Sequence, residues 1–237
     1  NIQNAKFVAT DSIGKGSSEI FKSLDFHADE KIDYIIGNPP YVPISGEVIL
    51  DSTDYLFKRK VQDSGNNLFI AALVRALQLL SDGGTLSYIV PKNFLHVGSY
   101  SLLRREILKE KTIVSIIDIG AFFKNVRGEQ IVLTIKNKAP NKNKIKIKRL
   151  LNNRFVELLS ISQDFYKDEI LLFNSFTDLS IYNKLFSSFQ KLNDLKNGYI
   201  GRGKSKSSTA IVGKDIRKFG YKGKSIPNSG NKIFIQN

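Results

Sequence analysis

Through the first 135 residues, short apolar runs alternate with longer stretches of helical spacing. Residues 5–9 and 32–36 are compact apolar runs bounded by polar or glycine punctuation, the pattern of buried parallel strands. Residues 67–80 repeat apolar side chains at helical spacing, with Leu68, Ala71, Ala72, Val74, Ala76, Leu77, Leu79 and Leu80. The Asp82-Gly83-Gly84 turn is expected to end that helix, and residues 85–90 then read as a strand stopped by Pro91. Residues 100–108 read as a helix, and 113–119 and 130–135 as two further strands. The alternation predicts an α/β fold around a largely parallel sheet.

After Lys136 the texture changes. A Pro/Asn/Lys turn at 139–144 leads into alternating Ile145, Ile147 and Leu150, which predicts an edge strand or hairpin. Residues 178–192 predict a short amphipathic helix, with Ile181, Leu185, Phe186 and Phe189 on one side. Residues 198–230 are rich in Gly, Ser and Lys and weakly patterned. The boundary is expected between 165 and 180, giving a core of 1–165 and a second region of 166–237.

Composition narrows the chemistry. The chain has 237 residues, is 41% hydrophobic and carries 17 glycines, which excludes disorder throughout. No window approaches the eighteen uncharged apolar residues of a membrane-spanning helix, so no membrane partner is expected. Cysteine is absent, which removes disulfides, thiolate metal sites and cysteine nucleophiles together. His27 and His96 are far apart with no ligand-like spacing, so no metal site is expected and both read as surface or loop residues. There is no Met and the first residue is Asn1, from which an internal or truncated piece of a longer protein is expected.

The net charge of +14 is unevenly placed. Residues 1–135 hold 15 basic and 15 acidic side chains, whereas 136–237 hold 21 basic and 7 acidic. From 198 onward nine basic residues face the single acid Asp215. Such asymmetry suits a polyanion; the plainer reading is a solvated basic tail.

The sharpest chemical feature is Asp33-Tyr34-Ile35-Ile36-Gly37-Asn38-Pro39-Pro40-Tyr41, an apolar strand running directly into Asn-Pro-Pro-Tyr. In α/β sheets the carboxyl end of a parallel strand is where ligands bind. Two successive prolines fix the backbone and remove two amide donors, leaving the neighbouring carbonyl and the Asn38 side-chain oxygen to accept hydrogen bonds. Tyr41 offers a flat face. The set suits a planar group carrying an exocyclic amine, whereas a lone Asn-Pro would be only a strand-ending turn.

Here the sequence resembles the N6-adenine DNA methyltransferases of restriction–modification systems, which use S-adenosylmethionine. The resemblance covers roughly residues 5–138 and extends more weakly beyond. It implies a Rossmann-like methyltransferase sheet, present as its C-terminal half with parallel strands and a final antiparallel strand, followed by the start of a target-recognition domain. Asn38, Pro39, Pro40 and Tyr41 would then be catalytic, with Asn38 and the Pro39 carbonyl accepting the two N6 hydrogens of a flipped-out adenine. Tyr41 and Phe123, the latter within Phe122-Phe123-Lys124-Asn125-Val126, would stack on the base. Asp11 would contact the adenine of the cofactor, and Asn38 would also lie on the cofactor side. Asn67-Leu68-Phe69 would open the helix after the catalytic turn, Gly83-Gly84 with 86–91 would form the next strand, and 100–105 would match a Tyr-x-x-Leu-Arg helix.

The residues fit that chemistry. Base modification requires unstacking, at a few kcal/mol, and aromatic stacking returns roughly 1–3 kcal/mol per base. Methyl transfer to an amine needs no covalent intermediate, in keeping with the absence of cysteine, while C5-cytosine methylation needs a thiolate. The family's Gly-x-Gly cofactor motif before the acidic position is missing; Gly14-Lys15-Gly16 follows Asp11 and reads as a flexible loop. The cofactor half is therefore expected upstream of Asn1, in the same chain or another, and this piece alone is expected to be inactive. Basic residues at Arg202, Lys204, Lys206, Lys214, Arg217 and Lys218 are similar in setting to the opening of a target-recognition domain, implying contact with double-stranded DNA. A restriction or specificity subunit is a further implied partner, and the implied location is bacterial or archaeal cytoplasm. The alternatives are a methyltransferase acting on protein glutamine or ribosomal RNA, which share the Asn-Pro-Pro-Tyr logic, or a catalytically inactive nucleic-acid-binding fragment.

Overall fold

The computed structural model describes residues 13–14, 31–45, 50, 54–123 and 128–188, together with the backbone of 216–217 and 220–221. The chain divides into two compact units, Asn1–Phe176 and Thr177–Asn237. In the first unit the elements run β1 (Ile32–Gly37), α1 (Tyr55–Asp63), α2 (Leu68–Leu79), β2 (Leu80–Pro91), α3 (Ser101–Glu110), β3 (Thr112–Gly120), β4 (Gln130–Lys136), β5 (Lys144–Leu151) and β6 (Arg154–Ser162). Short 3-10 turns at Lys92–Leu95 and Gly98–Tyr100 join β2 to α3. The helix α4 (Phe176–Ser188) and a two-stranded ribbon of β7 (Ile216–Arg217) and β8 (Gly220–Tyr221) come after β6 in the chain.

The six strands form one sheet in the order β1-β2-β4-β3-β5-β6. Strands β1, β2, β3 and β5 run the same way; β4 is inserted antiparallel between β2 and β3, and β6 returns antiparallel along β5. The expected α/β sheet is what the chain forms, with four strands in one direction and two, β4 and the final β6, antiparallel to them. The core lies on one face. Alternate residues Leu86 and Val90, Ile131, Leu133 and Ile135, Ile145 and Ile147, and Leu159 and Ile161 are all buried. Burying each such side chain contributes about 1.5–3 kcal/mol.

Helix α2 is apolar nearly all round and buries Phe69, Ile70, Ala71, Leu73, Val74, Ala76 and Leu79. Asn67 caps it, its side chain accepting from the Phe69 amide at 3.2 Å. Arg75 lies on this helix at 1% exposure. Its guanidinium sits 4.0 Å over the Phe57 ring and donates to Gln78 and Asp54, which satisfies the buried charge. Helix α1 was not legible as an apolar stripe, since only Phe57 and Val61 are buried on it. Its sequence signal is the N-cap Asp54, whose carboxylate accepts from the Phe57 amide at 2.8 Å.

The glycine pair at 83–84 does different work from the helix stop expected of it. Helix α2 ends at Leu79, and β2 already begins at Leu80. The register jumps from Ile32 opposite Leu80 to Tyr34 opposite Thr85, so the strand enters through a bulge. Gly83 has φ +73°, and a Cβ on Gly84 would lie 3.1 Å from the Ile32 carbonyl oxygen. Asn137 closes this bulge from β4's far end, donating its amide to the Gly84 carbonyl and accepting from Gly83. The hairpin expected after Lys144 is formed by β5 and β6 around Asn152-Asn153, both at positive φ. The predicted strand at 5–9 and the weakly patterned 198–230, apart from β7 and β8, lie outside the described residues.

Candidate active site

Strand β1 delivers Asn38 to the carboxyl edge of the sheet. Gly37 is pressed against Tyr88 of β2, where a Cβ would stand 3.0 Å from the ring. Asn38 is exposed, Pro39 is buried beneath it and Pro40 is exposed. A second strap ties residues 42–44 to the start of α2: the Leu68 amide donates to the Val42 carbonyl at 2.9 Å, and the Ile44 amide to the Asn66 carbonyl at 2.9 Å. The Asn66 side chain returns to the Ile44 carbonyl at 3.1 Å. The capped end of α2 therefore sets the path of the chain as it leaves Tyr41.

The Tyr41 hydroxyl donates to Asn38 Oδ1 at 2.7 Å and also lies 3.0 Å from the Ile89 carbonyl of β2. Burial pushes the Tyr41 phenol above its ordinary value, which keeps it a donor at neutral pH. Its ring meets Phe69 edge-on, with centroids 6.3 Å apart, and Phe69 in turn packs on Tyr100 at 5.3 Å and Phe94 at 6.2 Å. An aromatic cluster from α2 and the two 3-10 turns thus backs the Asn-Pro-Pro-Tyr turn. Asn38 Oδ1 keeps acceptor capacity beyond the one bond from Tyr41, since an amide oxygen has two lone pairs.

Phe123 lies just past the end of β3 on the same sheet edge, because Gln130 pairs with both Pro91 and Gly120. It is half-buried, with its ring edge-on to exposed Phe122 at 5.3 Å. Asn38, Tyr41 and Phe123 thereby follow the carboxyl ends of β1 and β3 on one edge of the sheet, with β2 and β4 between them. Asp11, Lys204, Lys206, Lys214, Lys218, Arg202 and His27 lie outside the described residues, and Arg217 is described only as backbone in β7. His96 is an exposed turn residue.

Two features of this edge escaped the sequence reading. Lys92, directly after Pro91, donates to Asp118 at 2.9 Å and Glu129 at 2.6 Å, and Arg149 reaches Asp118 at 3.4 Å. The four come from four separate segments, so spacing could not announce them. The other is the anchoring role of Arg104, a residue already within the Tyr-x-x-Leu-Arg match at 100–105. Only 1% exposed, it donates to the Phe94 and Val97 carbonyls and to Asp168, anchoring the turns that hold Phe94 and Tyr100.

Among known proteins, residues 2–123 match the family model of the Eco57I restriction-modification methylase. The type II methyltransferase M.TthHB8I of Thermus thermophilus is 30% identical over 115 residues, covering 45% of this chain and 26% of that protein. The type II restriction enzyme and methyltransferase RM.Eco57I of Escherichia coli is 26% identical over 215 residues, 86% of this chain and 19% of that one. The adenine-specific methyltransferase BrxX of Escherichia coli is 28% identical over 112 residues, 46% of this chain and 9% of that protein. The chain spans about a quarter or less of the length of these relatives. With the family model matching more than half of its residues, including the whole Asn-Pro-Pro-Tyr turn, the chain belongs to the Eco57I restriction-modification methylase family.

Proposed function

We propose that this chain is the catalytic part of a DNA adenine-N6 methyltransferase of a restriction–modification system, acting on a flipped-out adenine. The observation that carries the reading is the Asn38–Tyr41 pair at the carboxyl edge, an exposed amide oxygen oriented by a hydroxyl at 2.7 Å beside two residues without amide hydrogens. Asn38 Oδ1 accepts one N6 hydrogen through its remaining lone pair, and the Pro39 carbonyl accepts the other. Both acceptors favour a tetrahedral nitrogen and stabilise the positive charge that develops on it. Tyr41 and Phe123 stack on the extruded base and offset its unstacking.

Asn38, exposed at this edge, and Asp11 would hold S-adenosylmethionine, and the cofactor when bound supplies an electrophilic methyl group. The division into a catalytic core of 1–165 and a DNA-reading region of 166–237 belongs to the same proposal, with Arg202, Lys204, Lys206, Lys214, Arg217 and Lys218 meeting phosphate. So does partnership with a restriction or specificity subunit. The adenine-specific methyltransferase BrxX supports the substrate, and the restriction enzyme and methyltransferase RM.Eco57I supports the restriction–modification setting.

The test is Asn38→Ala in the intact methyltransferase, assayed for radiolabelled methyl transfer to adenine-containing duplex. Loss of one such polar partner is expected to lower turnover by about 100-fold or more, with duplex affinity unchanged. Comparable turnover by the variant would overturn the assignment.

A further inference from the structure

Strand β5 carries Lys144, Lys146 and Lys148 on one face and buried Ile145 and Ile147 on the other. Lys144 and Lys146 are exposed, and the Lys148 side chain is 30% exposed. Lysines on an edge strand commonly block unwanted pairing, but β5 is an interior strand flanked by β3 and β6, so that explanation does not apply here. Lysine is also disfavoured within strands, and three of them along one face repel one another. In the register, the residues directly beside them on β3 and β6 are Ser115, Ile117, Ser160, Ser162 and Glu157. The single acid, Glu157, is 4.0 Å from Lys148, a partly exposed pair of little worth.

Three of the five neighbours carry hydroxyls. Ser160, Lys146, Ser115, Thr134 and Ser87 lie in register across β6, β5, β3, β4 and β2, all but exposed Lys146 half-buried. Lysine and serine or threonine side chains are the groups that proteins place on phosphate oxygens. The lysine row spans roughly 13 Å at strand rise, a length over which a duplex carries on the order of eight phosphate charges. Because β5 is parallel to β3, the row leads toward the same edge that bears Asn38.

We infer that the outward face of β5, with Lys144, Lys146 and Lys148 and the flanking serines, is a contact surface for the phosphate backbone of duplex DNA, separate from the basic residues after 198. The inference rests on the reading of the chain as acting on DNA. It assigns a sequence-independent positioning role, which leaves base selection to other residues.

Duplex binding by the full 237-residue chain across a salt series tests it, comparing the unaltered chain with the triple variant Lys144→Gln, Lys146→Gln, Lys148→Gln. Each lost phosphate contact makes the slope of log affinity against log salt shallower by about 0.9, so a change between about 2 and 3 is expected. The charge-matched triple Lys58→Gln, Arg105→Gln, Lys109→Gln on α1 and α3 is expected to keep the original slope, and the Lys→Arg triple on β5 to restore it. An unchanged slope in the β5 triple, or an equal change in both glutamine triples, overturns the surface and leaves the DNA reading standing. No duplex affinity in the unaltered chain overturns the DNA reading itself, and the surface with it.

Discussion

Tyr41 holds Asn38 in place: its hydroxyl donates to Asn38 Oδ1 at 2.7 Å while lying 3.0 Å from the Ile89 carbonyl of the next strand. The bond ties the exposed Asn38 side chain, proposed above to meet the substrate amine, to the neighbouring strand of the sheet. Tyr41, expected to belong to the catalytic turn and to stack on the base, therefore also aims its neighbour.

That role separates two variants. Tyr41→Phe keeps the ring and removes the hydroxyl, so turnover is expected to fall roughly 2- to 10-fold, the worth of one net hydrogen bond, with duplex KM unchanged. The double variant with Asn38→Ala is expected to be no slower than Asn38→Ala alone. Additive losses in single-turnover kinetics would show that the hydroxyl acts through something other than Asn38.

The Lys92–Asp118 pair sets a pH window. Burial acts to raise the Asp118 carboxyl, but the Lys92 hydrogen bond, the Gly120 amide and the charges of Lys92 and Arg149 outweigh it and hold it below its ordinary 3.8. Burial likewise lowers Lys92, while Glu129 and Asp118 outweigh it and hold the ammonium above 10.5. The Asp118 contribution is thus present above about pH 4 and is lost as pH falls through the depressed value; the Lys92 contribution is present below 10.5 and is lost as pH rises through the elevated one. Asp118→Asn is expected to cost about 1–3 kcal/mol at pH 7, and the gap to the unaltered protein should narrow in acid. Urea midpoints at pH 7 and pH 3 measure it; an equal gap at both would exclude the ion pair as its source.

Gln163 is buried after β6, where its Nε2 donates to the Leu108 and Lys111 carbonyls and its Oε1 accepts from the Ile113 amide and Asn143. One side chain thereby joins the end of α3 to the start of β3. Gln163→Leu leaves buried backbone groups without partners, each worth about 1–3 kcal/mol. The urea midpoint should drop sharply with an unchanged slope, and a drop equivalent to less than about 1 kcal/mol would show that the site relaxes around the loss.

Arg104→Lys is expected to destabilise although it keeps the charge. A lysine ammonium has three donors on a flexible stem and cannot reproduce the planar fork that meets Phe94, Val97 and Asp168 together. A loss of about 1–3 kcal/mol is expected, accompanied by faster amide exchange in residues 94–100. Protection equal to the unaltered protein there would mean that Arg104 does not hold the turns.

The α/β alternation, the strand leading into Asn38-Pro39-Pro40-Tyr41 and the helix capped by Asn67 were legible in the sequence, because each is encoded by neighbouring residues. Apolar runs of strand length, two prolines without amide hydrogens and a capping side chain act within a few positions of themselves. Relationships that local order cannot carry were decided by the tertiary structure. The insertion of β4 between β2 and β3 brings Phe123 to the edge of Asn38, and only that topology gathers Lys92, Asp118, Glu129 and Arg149 into one cluster. The glycines at 83–84 look like a helix stop until the Ile32 carbonyl approaches within 3.1 Å of where a Cβ would stand. Likewise, the alternation at 145–150 reads as an edge strand or hairpin until β3 and β6 enclose β5, making it an interior strand with one basic face. Contacts between residues tens of positions apart depend on strand order and register, and a linear pattern contains neither.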